Sequence, residues 1–120
     1  MDDRSRREFS AILRDRRAAA ERTLRRNADD GRDILSARSD GTADDEHDPE
    51  GSTLAGEWSM LEALRTDTER ELVEIDAAIE RLDAGRYGTC EVCGRDIPPA
   101  RLRARPVATT CVPCAEAARR

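Results

Sequence analysis

Four cysteines are the residues of this chain with the clearest chemistry to offer. They stand as Cys90-Glu91-Val92-Cys93 and Cys111-Val112-Pro113-Cys114, two Cys-x-x-Cys pairs separated by seventeen residues. Two residues between ligands let one turn present both sulfurs to one metal, and the separation suits a four-cysteine zinc ribbon or treble-clef-like site. Gly94, directly after the first pair, can take the positive φ such a turn requires. Four thiolates around a single Zn²⁺ leave no open coordination position, so the expected role is structural rather than catalytic. They also leave an excess of negative charge, which Arg95, Arg101, Arg103 and Arg105 are placed to balance; Arg101 and Arg105 double as candidate partner contacts. The same sulfurs would suit an iron–sulfur cluster or a redox couple, and in a secreted chain they could form two disulfides. The start Met1-Asp2-Asp3-Arg4 is followed by no signal-like apolar run, and no stretch is long and apolar enough to span a bilayer. A cytoplasmic, reducing location is therefore expected, with no membrane partner, and it favours metal binding.

The remaining side chains suggest little further chemistry. There is no nucleophile–base pair, phosphate-binding glycine loop or histidine-rich site, so no enzymatic activity is expected. The single histidine, His47, lies among Asp44, Asp45, Glu46, Asp48 and Glu50. Pro49 and the lack of an EF-hand pattern argue against a calcium loop, which leaves a solvated acidic turn. A net charge of −5 with 2% aromatic residues also argues against sequence-specific DNA binding, since no stacking side chains accompany the basic module.

A chain of 120 residues has a large surface for any core it can bury, so a metal staple is in keeping with its size. With 39% charged residues, long charged helices are expected instead of a wide core. Residues Ser5 to Arg38 read as a first helix around Phe9, Ile12, Leu13, Ala20, Leu24, Ile34 and Leu35, weakened by Gly31 in its last turns. Residues 39–51 form an acidic turn with Gly41, Pro49 and Gly51. A second helix starts at Ser52 or Thr53 and runs to Ala84, where Gly85 ends it. Leu54, Trp58, Leu61, Arg65, Thr68, Leu72, Ile75, Ile79 and Leu82 alternate steps of four and three, the seam of a coiled coil in which Trp58 packs. The expected fold is mostly α. An antiparallel hairpin about 45 Å long occupies 1–84, its acidic tip at 39–51, and a small C-terminal four-cysteine zinc finger occupies 85–120. Net charge is +3 over residues 1–38, −6 over 39–51, −6 over 52–84 and +4 over 85–120, so opposite ends should meet different surfaces. Apart from any resemblance, this describes either a zinc-stapled coiled-coil adaptor for another protein or a redox-sensing zinc protein.

The run Gly85-Arg86-Tyr87-Gly88-Thr89-Cys90-Glu91-Val92-Cys93-Gly94, followed by Ile97, Arg101-Leu102, Ala104-Arg105-Pro106 and Cys111-Val112-Pro113-Cys114, resembles the DksA/TraR family of bacterial zinc-finger proteins. The resemblance implies a transcription regulator that binds RNA polymerase directly, its hairpin entering the secondary channel and its acidic tip approaching the catalytic centre. The tip residues so implied are Asp45, His47, Asp48 and Glu50. Best-known members carry Asp-x-x-Asp-x-Ala there. Counting back from Cys90 places His47 and Glu50 at the two Asp positions and Ser52 at the Ala, while Asp45 to Asp48 restores Asp-x-x-Asp with Glu50 in place of Ala. Members that respond to guanosine tetraphosphate use three basic residues. Here Glu74 and Ala115 stand at two of them and only Arg105 is kept, so dependence on that nucleotide is not expected.

Overall fold

A computed structural model describes residues 1–39 and 49–120 of the chain, with side chains over 1–37 and 53–120. Four helices follow in order: α1 Asp3–Ser39, α2 Pro49–Asp83, α3 Pro99–Ala104 and α4 Val112–Ala118. No strand occurs among the described residues, only an isolated antiparallel bridge between Thr89 and Asp96. The chain is therefore mostly helical, as its periodicity predicts.

The helix ends follow from local chemistry. Asp2 caps α1: its Oδ1 accepts the Ser5 backbone N–H at 2.8 Å, so the helix opens ahead of the Ser5 start read from the sequence. That hydrogen bond is the main reason the Asp2 carboxyl sits below its ordinary range. Pro49 is the first residue of α2, ahead of the expected Ser52 or Thr53. A proline costs nothing there, because its missing N–H would have had no intrahelical partner. At the other end the Arg86 N–H reaches the Arg81 carbonyl at 2.8 Å and the Gly85 N–H reaches that of Leu82 at 3.2 Å, with Gly85 at φ +76°. This is a Schellman motif, and it fixes where α2 stops.

The chain packs as two compact units, Met1–Ala18 with Val73–Arg120, and Ala19–Leu72. In the first, Phe9 and Leu13 of α1 meet Ala78 and Leu82 of α2 and Tyr87, Cys90, Ile97, Leu102 and Cys111 of the C-terminal module in one buried cluster. The Phe9 and Tyr87 rings lie 5.5 Å apart, tilted by 48°. The Tyr87 hydroxyl donates to the buried Pro106 carbonyl at 2.7 Å. Burial of the ring pushes its phenol up to about 12. The helix pair runs antiparallel here: Arg17 pairs with Asp76 at 2.6 Å, and Arg6 donates to the Leu82 carbonyl at 3.3 Å.

In the second unit α1 and α2 also pair antiparallel, Gly31 lying beside Trp58. Along α2 the expected seam holds in part. Thr68, Ile75 and Leu82 are buried, and Leu54, Leu61, Leu72 and Ile79 are half-buried. Arg65 departs from it, turning outward to Glu62 at 2.8 Å and Glu69 at 3.7 Å. Trp58 keeps 38% of its surface exposed, because one facing helix cannot cover an indole on all sides. Gly31, read from the sequence as a weak point, is buried: a Cβ there would stand 3.4 Å from Trp58 Cζ3.

Candidate metal centre

The two Cys-x-x-Cys pairs are held by different devices. Around the first, the Cys90 N–H bonds the Arg95 carbonyl at 2.8 Å, the Gly94 N–H bonds that of Cys90 at 2.9 Å, and the Ile97 N–H bonds that of Gly88 at 2.7 Å. The chain thus doubles back tightly through Gly94 at φ +74°, which only glycine adopts without strain. The second pair opens α4: Cys111 is its N-cap and Cys114 lies in its first turn, with Pro113 favouring the helical start. A backbone hydrogen bond from the Glu91 N–H to the Thr109 carbonyl at 2.9 Å links the segments that carry the two pairs.

These supports bring the four Sγ atoms of Cys90, Cys93, Cys111 and Cys114 within 4.8 Å of one another. Cys93 and Cys111 are 3.8 Å apart at sulfur. Sulfurs about 2.3 Å from a tetrahedral Zn²⁺ would be separated by about 3.8 Å, so the set fits that ion. Cys90 and Cys111 are buried, Cys114 is intermediate and Cys93 exposed. Backbone N–H groups, first that of Cys93 and then that of Cys111, lower the Cys90 thiol to about 6. Hydrogen bonding to the neighbouring thiols, Cys111 first, pushes Cys114 up to about 12. Four sulfurs this close cannot all ionise without a cation among them, which is the electrostatic demand a dication meets.

The arginines between the pairs have separate employments. Arg101 Nε donates to the Thr110 carbonyl at 2.8 Å, bracing the second pair. Arg103 pairs with Glu8 at 2.7 Å and lies 6.0 Å from the centre of the Phe9 ring, fastening α3 to α1. Arg105 is exposed. It lines a cavity of about 530 Å³ together with Glu74 and Ala115, the other two positions singled out from the resemblance, and with Arg81, Arg101 and Arg119. Sequence reasoning missed Arg81 and Arg119 there, as well as the Tyr87–Pro106 and Glu8–Arg103 ties. Of the tip residues, Asp45, His47 and Asp48 lie outside the described residues. Glu50 belongs to the first turn of α2, its side chain likewise outside them.

Residues 85–120 match the family described as the prokaryotic dksA/traR C4-type zinc finger. The chain is 38% identical over 68 residues to the RNA polymerase-binding transcription factor DksA of Haemophilus influenzae, a match covering 56% of this chain and 47% of that protein. It is 46% identical over 57 residues to the protein of the same name from Caulobacter vibrioides, covering 47% and 40%. The matches thus span less than half the length of these relatives. Among solved structures, transcription factor DksA2 of Pseudomonas aeruginosa superposes with a TM-score of 0.83 at 24% identity, over 99% of this chain and 86% of that one, and so shares its fold. The DnaK suppressor protein of Agrobacterium tumefaciens is 32% identical, with a TM-score of 0.55, over 92% of this chain and 91% of its own. With its cysteine module matched by the family model and 32% identity to the Agrobacterium protein over 91% of that protein, the chain belongs to the DksA/TraR family of four-cysteine zinc-finger proteins.

Proposed function

We propose that this chain is a non-enzymatic transcription regulator that binds bacterial RNA polymerase directly, with its hairpin entering the secondary channel. The observation that carries the reading is that relatives matched over about half of this chain are named RNA polymerase-binding transcription factors. An antiparallel helix pair and a four-sulfur site supply the parts such a role needs.

In this reading one structural zinc ion, bound by Cys90, Cys93, Cys111 and Cys114, supplies a closed tetrahedral cross-link between the two halves of residues 85–120. The chain's own residues do the rest. Glu8, Phe9 and Tyr87 fasten the module to the helix pair. The helix pair positions the tip, where Asp45, His47, Asp48 and Glu50 meet the polymerase catalytic centre. Arg105 is the better placed of the two candidate partner contacts, since Arg101 already spends its Nε–H on Thr110. Guanosine tetraphosphate is not required. Glu74 puts a carboxylate in the cavity where a phosphate would sit, and Arg81 and Arg101 already donate to the carbonyls of Val107 and Thr110. The direct test is binding of the zinc-loaded protein to purified core polymerase, in competition with a factor known to occupy the secondary channel. Mutually exclusive binding is the expected result; no binding, or simultaneous binding of both, overturns the reading.

A further inference from the structure

In the Ala19–Leu72 unit, α2 carries a row of side chains that packing against α1 does not explain. Glu57, Met60, Leu64, Asp67 and Glu71 follow steps of three and four, which place them on one face of the helix. Met60 is 73% exposed and Leu64 45%. The more buried positions Leu61, Thr68 and Leu72 define the adjoining face, with Leu64 at its edge and Met60 farther round. Asp67 is paired with Arg70 at 3.8 Å, whereas Glu57 and Glu71 have no ion pair among the described residues. Two apolar side chains one turn apart are thus framed along the helix by carboxylates, two of them uncompensated.

That frame sets the sign of whatever covers the row. Nucleic acid and anionic lipid would be repelled. A second copy using the same row in a two-fold contact would bring carboxylates against carboxylates. A protein surface with aliphatic side chains set among Lys or Arg is complementary to both features. We propose that this row is a docking surface for such a basic, aliphatic wall, and that the wall belongs to the polymerase channel. The proposal rests on the polymerase reading and names the face of the hairpin that makes the contact.

The test measures binding of three zinc-loaded proteins to core polymerase at low and moderate salt: the wild type, Met60→Gln/Leu64→Gln and Glu57→Gln/Glu71→Gln. Glutamine keeps helix propensity, and helicity by circular dichroism is checked for each; Met60→Ala/Leu64→Ala replaces the first pair if helicity falls. The Met60/Leu64 variant should bind about tenfold more weakly or worse, and the Glu57/Glu71 variant should show a flatter salt dependence. If the wild type binds and both variants match it within about twofold at each salt, the row is a solvated face and the proposal is wrong, although the polymerase reading stands. If the wild type does not bind, reading and proposal fall together. Sedimentation supplies the last arm: a wild-type dimer that the Met60/Leu64 variant dissociates would assign the row to a second copy and overturn the proposal.

Discussion

Cys93 and Cys111, 3.8 Å apart at sulfur, come from the two halves of the module, so replacing either removes a ligand that joins them. Serine is a poor substitute, because a neutral hydroxyl neither ionises nor binds zinc as a thiolate does. Cys93→Ser or Cys111→Ser should abolish zinc binding and unfold residues 85–120 while leaving part of the hairpin helical, since metal binding and folding are coupled in a module this small. Metal analysis and circular dichroism check this. A purified protein free of zinc, or a thermal transition unmoved by chelator, would contradict it. Tyr87 offers a second test. Tyr87→Phe keeps the ring against Phe9 but leaves the Pro106 carbonyl buried without its donor, for a loss of about 1–3 kcal/mol. Its pH dependence has a definite sign. The folded-state phenol titrates at about 12, above its ordinary 10.0, so the folded state holds that proton more tightly. The stability this contributes is complete below about pH 10 and is lost as pH rises towards 12. Denaturant unfolding across that window should therefore show a decline in the wild type that is smaller in the phenylalanine variant.

Two glycines in the long helices show how an element's setting decides the sign of one substitution. Gly85 closes α2 at φ +76°, with open space where a Cβ would go, so Gly85→Ala meets no clash but must adopt a left-handed conformation, at a cost of about 1–2 kcal/mol. Gly31 has no positive φ, and its Cβ would reach Trp58 Cζ3 at 3.4 Å, an ordinary contact against a ring that can shift towards solvent. Gly31→Ala should therefore raise stability, by up to about 1 kcal/mol of helix propensity, while Gly85→Ala lowers it. Thermal unfolding of both variants measures the contrast. Trp58, the only tryptophan, adds a local readout: Gly31→Leu should displace the indole and shift its emission to longer wavelength, whereas Gly31→Ala should not. The same comparison shows what the chain makes legible in advance. Gly85 could be read as a helix end, and the cysteine spacing as a metal site, because both depend on neighbours or on a short repeat. Gly31 could not be read as a space for Trp58, nor Arg103 as the partner of Glu8, 95 residues away, because each depends on a register that exists only once the helices pair. Arg65 misled for a related reason: periodicity put it on the seam, but a guanidinium one turn from Glu62 and Glu69 gains more by facing water.

At the scale of the whole chain, charge is sorted along the sequence. Residues 39–51 carry six carboxylates and no basic side chain, residues 52–84 carry nine against three arginines, and residues 85–120 carry seven arginines against three. Six carboxylates this close in sequence repel each other, and that repulsion is relieved beside a cation or a basic wall. In the proposed mechanism this separates two tasks, binding by the helix pair and module and action by the tip. Neutralising the tip with Asp45→Asn, Asp48→Asn and Glu50→Gln should then abolish the effect on transcription while weakening polymerase binding far less. Both quantities belong on one protein, by in vitro transcription and by competition for the channel, since a loss of binding alone would also silence transcription. Guanosine tetraphosphate added to the same reactions should leave the wild-type effect unchanged; an enhancement that disappears in Arg105→Ala would show that Glu74 does not exclude the nucleotide. If the triple variant regulates normally, the turn is a solvated cap. If binding and activity fall in equal proportion, the tip contributes attachment rather than chemistry, and the division of labour assigned to the two ends is wrong.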